Sequence, residues 1–574
     1  MKLLPFLIQL SLLLSFSYLF ADNTKLITPQ QLWEGYDPDQ GDFKEEILHE
    51  GIQDGVYTKE TYISAYVLDE EIRIYCIYKV KEGLKKAPAL LQVHGWMGRP
   101  NIRSTDPYLA DGWAVMAHDY CGKSGNRKYT TKYPKSLEHG NMEKRIRTKL
   151  KNGDFVDNPK QISDYLWYAM QRRVLSYLEQ QKEVDPHKMG ATGYSYGGTL
   201  MWHLGTDPRI KAFVAYFGIG WNTYYRDKQV MMYKIPYHEP AMNKGEKINL
   251  ASIAPQSYVP SINAAPLFLN GTNDHHGGFE RGLETFKLLK PSIPWSYTLQ
   301  ARGHHNTDKI GHIAKPWLEK HVLDKDHFWP EPSESSIQLN SEGIPTFKVS
   351  PSTLNRVKKV QMYYALKSPV SYARTWRDID CIKEGSSFIG IMPVLNIDDY
   401  VFGYANITYD NDIVRSTKFN AEIPSKLGEA IATDKKSNSL SSENSASAWS
   451  QAVETEGVGS VKGFRCINKH RGTLNEQLHD EKWKAPKGAK LQFKFYCTEP
   501  QEIIFTSGRY SSILKITASD DWQTMTLASN KLVHQNNKKH LSDWSVATDL
   551  GIKSNSGYDV TKIVFADFKW DAQE

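Results

Sequence analysis

The sequence predicts an α/β domain with a mostly parallel sheet, followed by two all-β sandwich modules. From about residue 72 to residue 325, short apolar segments alternate with helical stretches, which is typical of a parallel sheet covered by helices. After about residue 329 helical periodicity nearly disappears and short alternating segments replace it. The chain has 574 residues, more than one hydrophobic core usually serves, so several domains are expected.

The composition is typical of a globular protein. The chain is 40% hydrophobic and 24% charged, with a mean hydropathy of -0.53, which excludes a disordered chain, a collagen and a polytopic membrane protein. The net charge of +6 is spread without a long basic run, so no nucleic-acid partner is expected. Five cysteines without a CxxC pair predict no zinc site and at most one or two disulfides.

The N-terminal segment predicts export. Lys2 is followed by uncharged residues up to Ala21, and polar residues begin at Asp22. This pattern is typical of a secretory signal peptide over residues 1–21, and the segment is near the lower length limit of a membrane span. We therefore expect a periplasmic or extracellular protein without stable membrane insertion after cleavage. The sequence does not indicate its oligomeric state.

The remaining chain is expected to form three domains. Residues 22–328 contain the α/β domain with an N-terminal extension. Residues 333–428 are predicted to form a sandwich of immunoglobulin-like size, 429–448 a polar linker, and 449–574 a jelly-roll-like β domain. Several tryptophans in the last domain indicate either carbohydrate binding or core packing: Trp483, Trp522, Trp544 and Trp570.

Within the α/β domain, apolar runs predict the strands in order. These runs cover residues 72–80, 89–93, 113–117, 188–192, 210–217, 265–270 and 295–299. Between the third and fourth run, the apolar residues of segment 161–183 share one face of a helix. The segment 220–260, rich in aromatic residues, is expected to shape a substrate pocket.

A serine on a sharp turn is the strongest chemical signal. Gly193, Ser195 and Gly197 form a GxSxG pattern between a predicted strand and the start of a helix. A nucleophile exposed on such a turn needs small residues two positions away on each side, because larger side chains would collide with the strand and the helix. We predict that Ser195 is a nucleophile. The alternative is a glycine-rich turn with an inert serine.

Serine needs a base, and the base needs an orienting acid. Asp274 follows the strand at 265–270 and is the predicted acid, with a simple turn cap as the alternative. His304 and His305 follow the next predicted strand, and one of them is the expected base. His304 is favoured because a histidine directly after glycine is the common arrangement, and His305 is the alternative.

Two backbone N–H groups are predicted to hold an oxyanion. The first belongs to Tyr196, directly after the nucleophile, and the second to Trp96, in the loop that leaves the strand at 89–93. The alternative for His94 and Gly95 is a plain turn at the end of a strand. The glycine-rich loop at 119–125 is expected to support this region.

Together these motifs resemble the α/β-hydrolase superfamily over about residues 70–325. Within it, the chain resembles the secreted acetyl xylan esterase, dienelactone hydrolase and prolyl oligopeptidase-type serine hydrolases. Segments 368–377 and 391–394 are similar to the β-domain of PhoPQ-activated pathogenicity-related proteins. The resemblance implies hydrolysis of esters or amides without a cofactor or a metal.

We therefore expect an exported serine hydrolase that cleaves esters by a Ser-His-Asp mechanism, with acetylated polysaccharide as a candidate substrate. Two alternatives remain open. One is a serine peptidase of the prolyl oligopeptidase or X-Pro dipeptidyl type, and the other is a non-catalytic polysaccharide-binding protein.

Overall fold

The computed structural model describes residues 25–100, 105–123, 127–218, 220, 242–276, 278–367, 372, 374–440, 445–459 and 462–572. The predicted signal peptide and much of the aromatic segment 220–260 lie outside the described residues. The chain divides into two compact units. The first unit is Met1–Asp227, Pro236–Gln300 and His305–Phe328; the second is Lys228–Ile235, Ala301–His304 and Trp329–Glu574.

The first unit contains a nine-stranded sheet in the order β1-β2-β3-β5-β4-β6-β7-β8-β9. Its strands are β1 Glu46–Gln53, β2 Val56–Val67, β3 Glu70–Lys81, β4 Ala87–Val93, β5 Ala114–His118, β6 Val184–Tyr194, β7 Ile210–Tyr216, β8 Ala265–Gly271 and β9 Ser296–Gln300. Strands β1 to β3 and the β3–β5 pair are antiparallel. All neighbours from β5 to β9 are parallel, which confirms the predicted α/β class.

Seven α-helices of the first unit are described: α1 Pro29–Leu32, α2 Asp106–Ala110, α3 Ser163–Glu179, α4 Tyr196–Leu204, α5 Lys244–Ser252, α6 Phe279–Phe286 and α7 Ala314–Val322. The periodic segment 161–183 forms α3, whose apolar side chains, such as Leu166 and Val174, are fully buried. Each such burial contributes about 1.5–3 kcal/mol. No helix of the described ranges is both long and apolar enough to cross a membrane.

The register of the parallel strands aligns their carboxyl ends. Val93 of β4 pairs with Gly193 of β6, and Tyr194 pairs with Tyr216 at the end of β7. Further along the sheet, Gly271 of β8 pairs with Gln300 of β9. In open α/β sheets, ligands bind at this edge, and every predicted site residue follows one of these strand ends.

The second unit is all-β, as predicted. Two sheets precede residue 423, with the strands β10 Glu334–Leu339, β11 Pro345–Ser350, β12 Val357–Leu366, β13 Arg377–Ile379, β14 Cys381–Glu384, β15 Ser387–Ile391, β16 Val401–Tyr409, β17 Val414–Ser416 and β18 Asn420–Glu422. Their orders are β10-β11-β15-β14 and β13-β12-β16-β17, and β18 pairs with β16.

Two more sheets follow residue 451, with the orders β19-β20-β28-β22-β25 and β21-β27-β23-β24-β26. Their strands are β19 Ala452–Glu456, β20 Lys462–Cys466, β21 Thr473–Asn475, β22 Lys490–Cys497, β23 Gln501–Ser507, β24 Tyr510–Ile516, β25 Ser519–Leu527, β26 Val533–His534, β27 Leu550–Ser554 and β28 Val564–Asp571. Every strand pair described in the second unit is antiparallel.

Aromatic side chains fill the core of the last module. Trp544 and Trp570 are buried there, and this burial favours the packing interpretation over sugar binding for both of them. Trp483 is partly buried against the same core, and Trp522 donates from its indole nitrogen to the Val458 carbonyl at 2.7 Å. All five cysteines are free thiols.

Candidate active site

Ser195 lies on the turn between β6 and α4. Its backbone angles are φ 54° and ψ -120°, a left-handed φ that non-glycine residues rarely adopt and that marks strained functional sites. The Ser195 N–H donates to the Tyr216 carbonyl at 2.9 Å. The nucleophile candidate is therefore held between the ends of two neighbouring strands, as the GxSxG pattern predicts.

The glycines around Ser195 are required by close backbone contacts. A Cβ at Gly193 would overlap the carbonyl of Gly197, and a Cβ at Gly197 would overlap the carbonyls of Val93 and His94. A Cβ at Gly198 would lie 2.8 Å from the Tyr216 carbonyl oxygen. These distances leave no room for a side chain, so the motif follows from packing at the turn.

Asp274 and His305 are in contact at the candidate site. His305 Nδ1 lies 2.8 Å from Asp274 Oδ2, and the other carboxylate oxygen accepts the His276 N–H at 2.6 Å. The Asp274 side chain is fully buried, whereas 30% of the His305 side chain is exposed. With Nδ1 on the carboxylate, Nε2 is the ring nitrogen left to exchange a proton with a nucleophile.

The structure brings His305 to Asp274, not the favoured His304, which is exposed. Adjacent side chains in a turn point to different sides, so only one of two neighbouring histidines faces the carboxylate. The His305 ring also packs against Phe217, with ring centroids 4.4 Å apart. Among the described residues Ser195 Oγ makes no hydrogen bond; such catalytic bonds often tighten only when substrate is bound.

The loop after β4 approaches the nucleophile from the other side. A Cβ at Gly95 would lie 3.1 Å from the Ser195 Cβ. Within the described part of the chain, the N–H groups of Trp96 and Tyr196 donate to no protein acceptor. Tyr196 is the first residue of α4, where N–H groups have no intrahelical partner. Both predicted oxyanion donors are therefore available, beside Ser195.

A buried carboxylate supports this loop. His94 Nε2 lies 3.4 Å from Asp119 Oδ1, and Asp119 Oδ2 accepts the Thr131 N–H at 2.7 Å. Burial alone raises the pKa of Asp119, but the contact with His94 and the charge of Arg127 outweigh burial and lower the pKa overall. The ionised carboxylate therefore anchors His94, next to the oxyanion loop.

Arg145 joins the two residues that carry the predicted oxyanion donors. Its guanidinium lies 4.5 Å from the Trp96 ring centroid, 4.4 Å from that of Tyr196 and 4.8 Å from that of Trp167. Nη2 is 2.9 Å from Asp164 Oδ2, and the Tyr196 hydroxyl hydrogen-bonds to both members of this ion pair. Guanidinium groups are attracted to aromatic faces, so this contact fixes the loop after β4 relative to the start of α4.

The Arg145 side chain is only 5% exposed, yet it stays charged. Burial alone lowers its pKa, but the charge of Asp164 raises the pKa overall. The sequence does not reveal this pair, because Arg145 lies in a loop about 50 residues before Ser195 and belongs to no recognised motif. No signal in a single sequence connects it to Trp96.

The sequence points to no role for Phe217, and it predicts that His276, although beside the acid, is less able than His304 or His305 to reach Ser195. Burial lowers the pKa of His276 to about 4, so this imidazole is neutral near pH 7, and its backbone orients Asp274. Its position beside the predicted acid was a usable signal. Phe217 has a φ of 38° and supports the His305 ring, but an apolar residue at a strand end looks like ordinary core.

Two groups of side chains have the donor types of a metal site. They are His94, Asp119 and Cys121, and Asp274, His275 and His305, with ligand atoms within 4.8 Å of one another in each group. Most of these atoms already take part in the contacts described above.

A protein-family pattern matches part of the chain. The sequence pattern of the prolyl oligopeptidase family matches residues 170–315, a range that contains Ser195, Asp274 and His305. No curated protein sequence matches the chain significantly.

Several solved structures resemble part of the chain at low similarity. An acetyl xylan esterase from a Thermoanaerobacterium species is 17% identical with a TM-score of 0.39, covering 50% of this chain and 92% of the esterase. An acetyl xylan esterase from a Paenibacillus species is 15% identical with a TM-score of 0.41, covering 52% and 96%. The acylaminoacyl peptidase of Pyrococcus horikoshii is 16% identical with a TM-score of 0.34, covering 50% and 51%.

The parallel sheet and the family match at residues 170–315 define the class of protein: it is a serine hydrolase with an α/β-hydrolase fold. Two all-β modules follow the hydrolase fold in the same chain.

Proposed function

We propose that this serine hydrolase is an exported esterase that removes acyl groups from polysaccharide, with Ser195, His305 and Asp274 as its triad. The observation that carries the proposal is the 2.8 Å contact between His305 and Asp274 at the sheet edge where Ser195 lies on its strained turn. A nucleophile, a base and an orienting acid at one edge are the parts that acyl transfer needs.

In this proposal Ser195 Oγ attacks the ester carbonyl carbon while His305 Nε2 takes the hydroxyl proton. The carbonyl oxygen becomes an oxyanion that accepts hydrogen bonds from the N–H groups of Trp96 and Tyr196. Asp274 stabilises the imidazolium and keeps its orientation. When the tetrahedral intermediate collapses, His305 gives the proton to the departing alcohol, and the acyl group stays on Ser195.

Water then repeats the sequence. His305 takes a proton from water, and the hydroxide attacks the acyl carbon. Collapse of the second tetrahedral intermediate returns the proton to Ser195 Oγ and releases a carboxylic acid. The alcohol product would be the deacylated polysaccharide.

A peptidase is the second candidate, because the family pattern that matches residues 170–315 is that of prolyl oligopeptidases. The ester proposal is supported by the motifs that resemble secreted acetyl xylan esterases. Rates on p-nitrophenyl acetate and on a prolyl p-nitroanilide separate the two. We expect turnover of the acetyl ester, and faster turnover of the prolyl amide would favour the peptidase.

The triad is tested with three alanine variants, one at the proposed nucleophile and one at each of the two neighbouring histidines. Ser195→Ala should lower kcat on p-nitrophenyl acetate by about 10⁴-fold or more, since removal of a catalytic nucleophile has effects of this size. His305→Ala should lower it comparably, whereas His304→Ala should keep most of the activity. Loss of activity in His304→Ala with retention in His305→Ala would restore His304 as the base.

Export rests on residues 1–21. N-terminal sequencing of protein from the medium or the periplasm should begin near Asp22. A mature chain that begins at Met1 would contradict export through a cleaved signal peptide.

A further inference from the structure

A groove in the first unit concentrates unpaired cations next to the nucleophile. Its volume is about 1180 Å³. Among the described residues, four cationic side chains line it, Lys79, Arg99, Arg127 and Lys128, together with one carboxylate, that of Glu60. We call this region the basic groove.

Three of these cations have no counter-ion. Lys79, Arg99 and Lys128 form no ion pair with any described residue, and Arg99 and Lys128 are exposed. Arg127 has a different role, since it donates to the carbonyls of Gly98 at 2.8 Å and Gly122 at 2.7 Å. Cations gathered in a cleft with low-dielectric walls focus a positive potential and attract anions.

The carboxylate in the groove offsets only part of this charge: it acts on Lys128, whose pKa it helps to raise, and it forms no ion pair with a described residue. Glu60 accepts a hydrogen bond from the Tyr75 hydroxyl at 2.8 Å, and no lysine or arginine of the described chain pairs with it. The Tyr75 ring in turn stacks on that of Tyr129, with centroids 5.7 Å apart. The groove therefore combines excess positive charge with aromatic surface, the chemistry that suits anionic sugar rings.

The basic groove borders the turn that carries Ser195. Gly95, which lines it, is the residue whose Cβ position lies 3.1 Å from the Ser195 Cβ. Tyr194 also lines it, and its ring centroid lies 6.1 Å from that of Phe217, which packs on His305. A chain lying in the groove would end at the nucleophile.

We propose that the basic groove binds the uronate carboxylates of an acidic polysaccharide and delivers its acyl esters to Ser195. This inference names a substrate class and rests on the proposed esterase function. An oligonucleotide is also a polyanion, but the continuity with an acyl-transfer site favours the saccharide. The net charge of the whole chain, +6, does not reveal that cations are concentrated in the basic groove.

The test separates binding from catalysis. The full chain carrying Ser195→Ala is titrated calorimetrically with polygalacturonate and with its fully methyl-esterified form, which has the same backbone without the charges. We expect binding of the charged polymer at least about tenfold tighter than of the neutral one, and weaker at about 300 mM than at about 50 mM NaCl, because salt screens exposed charges.

Matched variants assign the site. The triple change Lys79→Gln, Arg99→Gln and Lys128→Gln should weaken polygalacturonate binding by about tenfold or more. The control triple Lys85→Gln, Lys182→Gln and Lys211→Gln removes the same charge outside the groove and should retain affinity. In chains with Ser195 intact, both triples should keep kcat on p-nitrophenyl acetate within about twofold, since that ester needs no distant contact.

Equal affinity for the two polymers, or equal losses in the two triples, would overturn the inference. A single-stranded oligonucleotide that binds as tightly as polygalacturonate and loses affinity in the same triple would replace the saccharide with a nucleic acid. If Ser195→Ala leaves p-nitrophenyl acetate hydrolysis intact, the proposed function fails, whatever the groove binds.

Discussion

Each unit of the molecule contains a buried arginine–aspartate pair of nearly the same chemistry. Arg145 Nη2 lies 2.9 Å from Asp164 Oδ2 in the first unit, and Arg377 Nη2 lies 2.8 Å from Asp480 Oδ2 in the second. In both arginines, Nε and Nη1 have no hydrogen-bond acceptor in the described structure. Both guanidinium groups also lie over aromatic rings.

The aromatic rings around the two arginines lie in different parts of the molecule. Arg145 contacts Trp96 and Tyr196, whose N–H groups are the predicted oxyanion donors. Arg377 lies 4.9 Å from the Trp483 ring centroid and extends from β13 to a segment after β21, so it joins the two all-β modules. The same pair of side chains thus lies beside the proposed oxyanion donors in one place and between the two all-β modules in the other.

The largest expected effect distinguishes these roles. Arg145→Met should lower kcat on p-nitrophenyl acetate by about 100-fold, because the loss of one oxyanion donor has effects of this size and both donors depend on this contact. KM should change little, since the contact matters most once charge develops on the oxyanion. Arg145→Lys, which keeps the charge but not the flat guanidinium, should restore part of the activity.

Arg377→Met is the matched control. Both methionine variants leave a buried aspartate without its partner, which costs about 3–5 kcal/mol of unfolding free energy. Arg377→Met should lose this stability but keep a kcat near that of the wild type. If both variants lose stability and kcat equally, the kinetic effect of Arg145 is a consequence of destabilisation.

A smaller effect is expected from one hydroxyl. Tyr196→Phe keeps the ring over Arg145 and removes the hydrogen bonds to Arg145 and Asp164. We expect a loss of about 1 kcal/mol in stability and a fall in kcat of less than tenfold, about a few fold. Tyr364→Phe, the corresponding change beside Arg377, should leave kcat unchanged in the same assay. A fall in kcat as large as that of Arg145→Met would mean that the hydroxyl, not the stacked ring, positions the oxyanion loop.

The smallest expected effect is on the pH dependence of stability, and it comes from Glu476 in the second unit. Burial, assisted by the charge of Asp549, raises the pKa of Glu476 from 4.5 to about 7. The unfolded chain releases this proton near pH 4.5 and the folded chain keeps it to about pH 7, so the unfolding free energy falls as pH rises through this window. Glu476→Gln removes that dependence. Its Tm relative to the wild type should therefore be higher at pH 8 than at pH 5, as measured by scanning calorimetry, and an identical difference at both pH values would contradict the shift.

The sequence predicts well where local chemistry constrains the chain. The turn at Ser195 was predictable because each glycine there is required by a backbone contact, and Asp274 because the acid follows a buried strand. The choice between His304 and His305 was not predictable, since it depends on the direction of side chains in one loop. Arg145 was beyond reach because its partners are distant in sequence and are joined only by the fold.

The fold class follows the same rule. Alternating apolar runs indicated a parallel sheet, because buried strands and amphipathic helices have distinct periods. The tryptophans of the last module were ambiguous because a large aromatic ring suits both a core and a sugar surface. The burial of Trp544 and Trp570 in the structure is what favours a core role for these two residues.

The strand order affects when hydrolytic activity appears as the chain folds. Parallel neighbours such as β4 and β6, paired through Leu91 and Ala191, require long crossovers, and such non-local pairings form slowly. Ser195, Asp274 and His305 follow the ends of β6, β8 and β9, so no short fragment of the chain contains the site. Hydrolytic activity should therefore return during refolding only after these distant strands have paired. Its recovery should be slower than the recovery of any optical signal from α3.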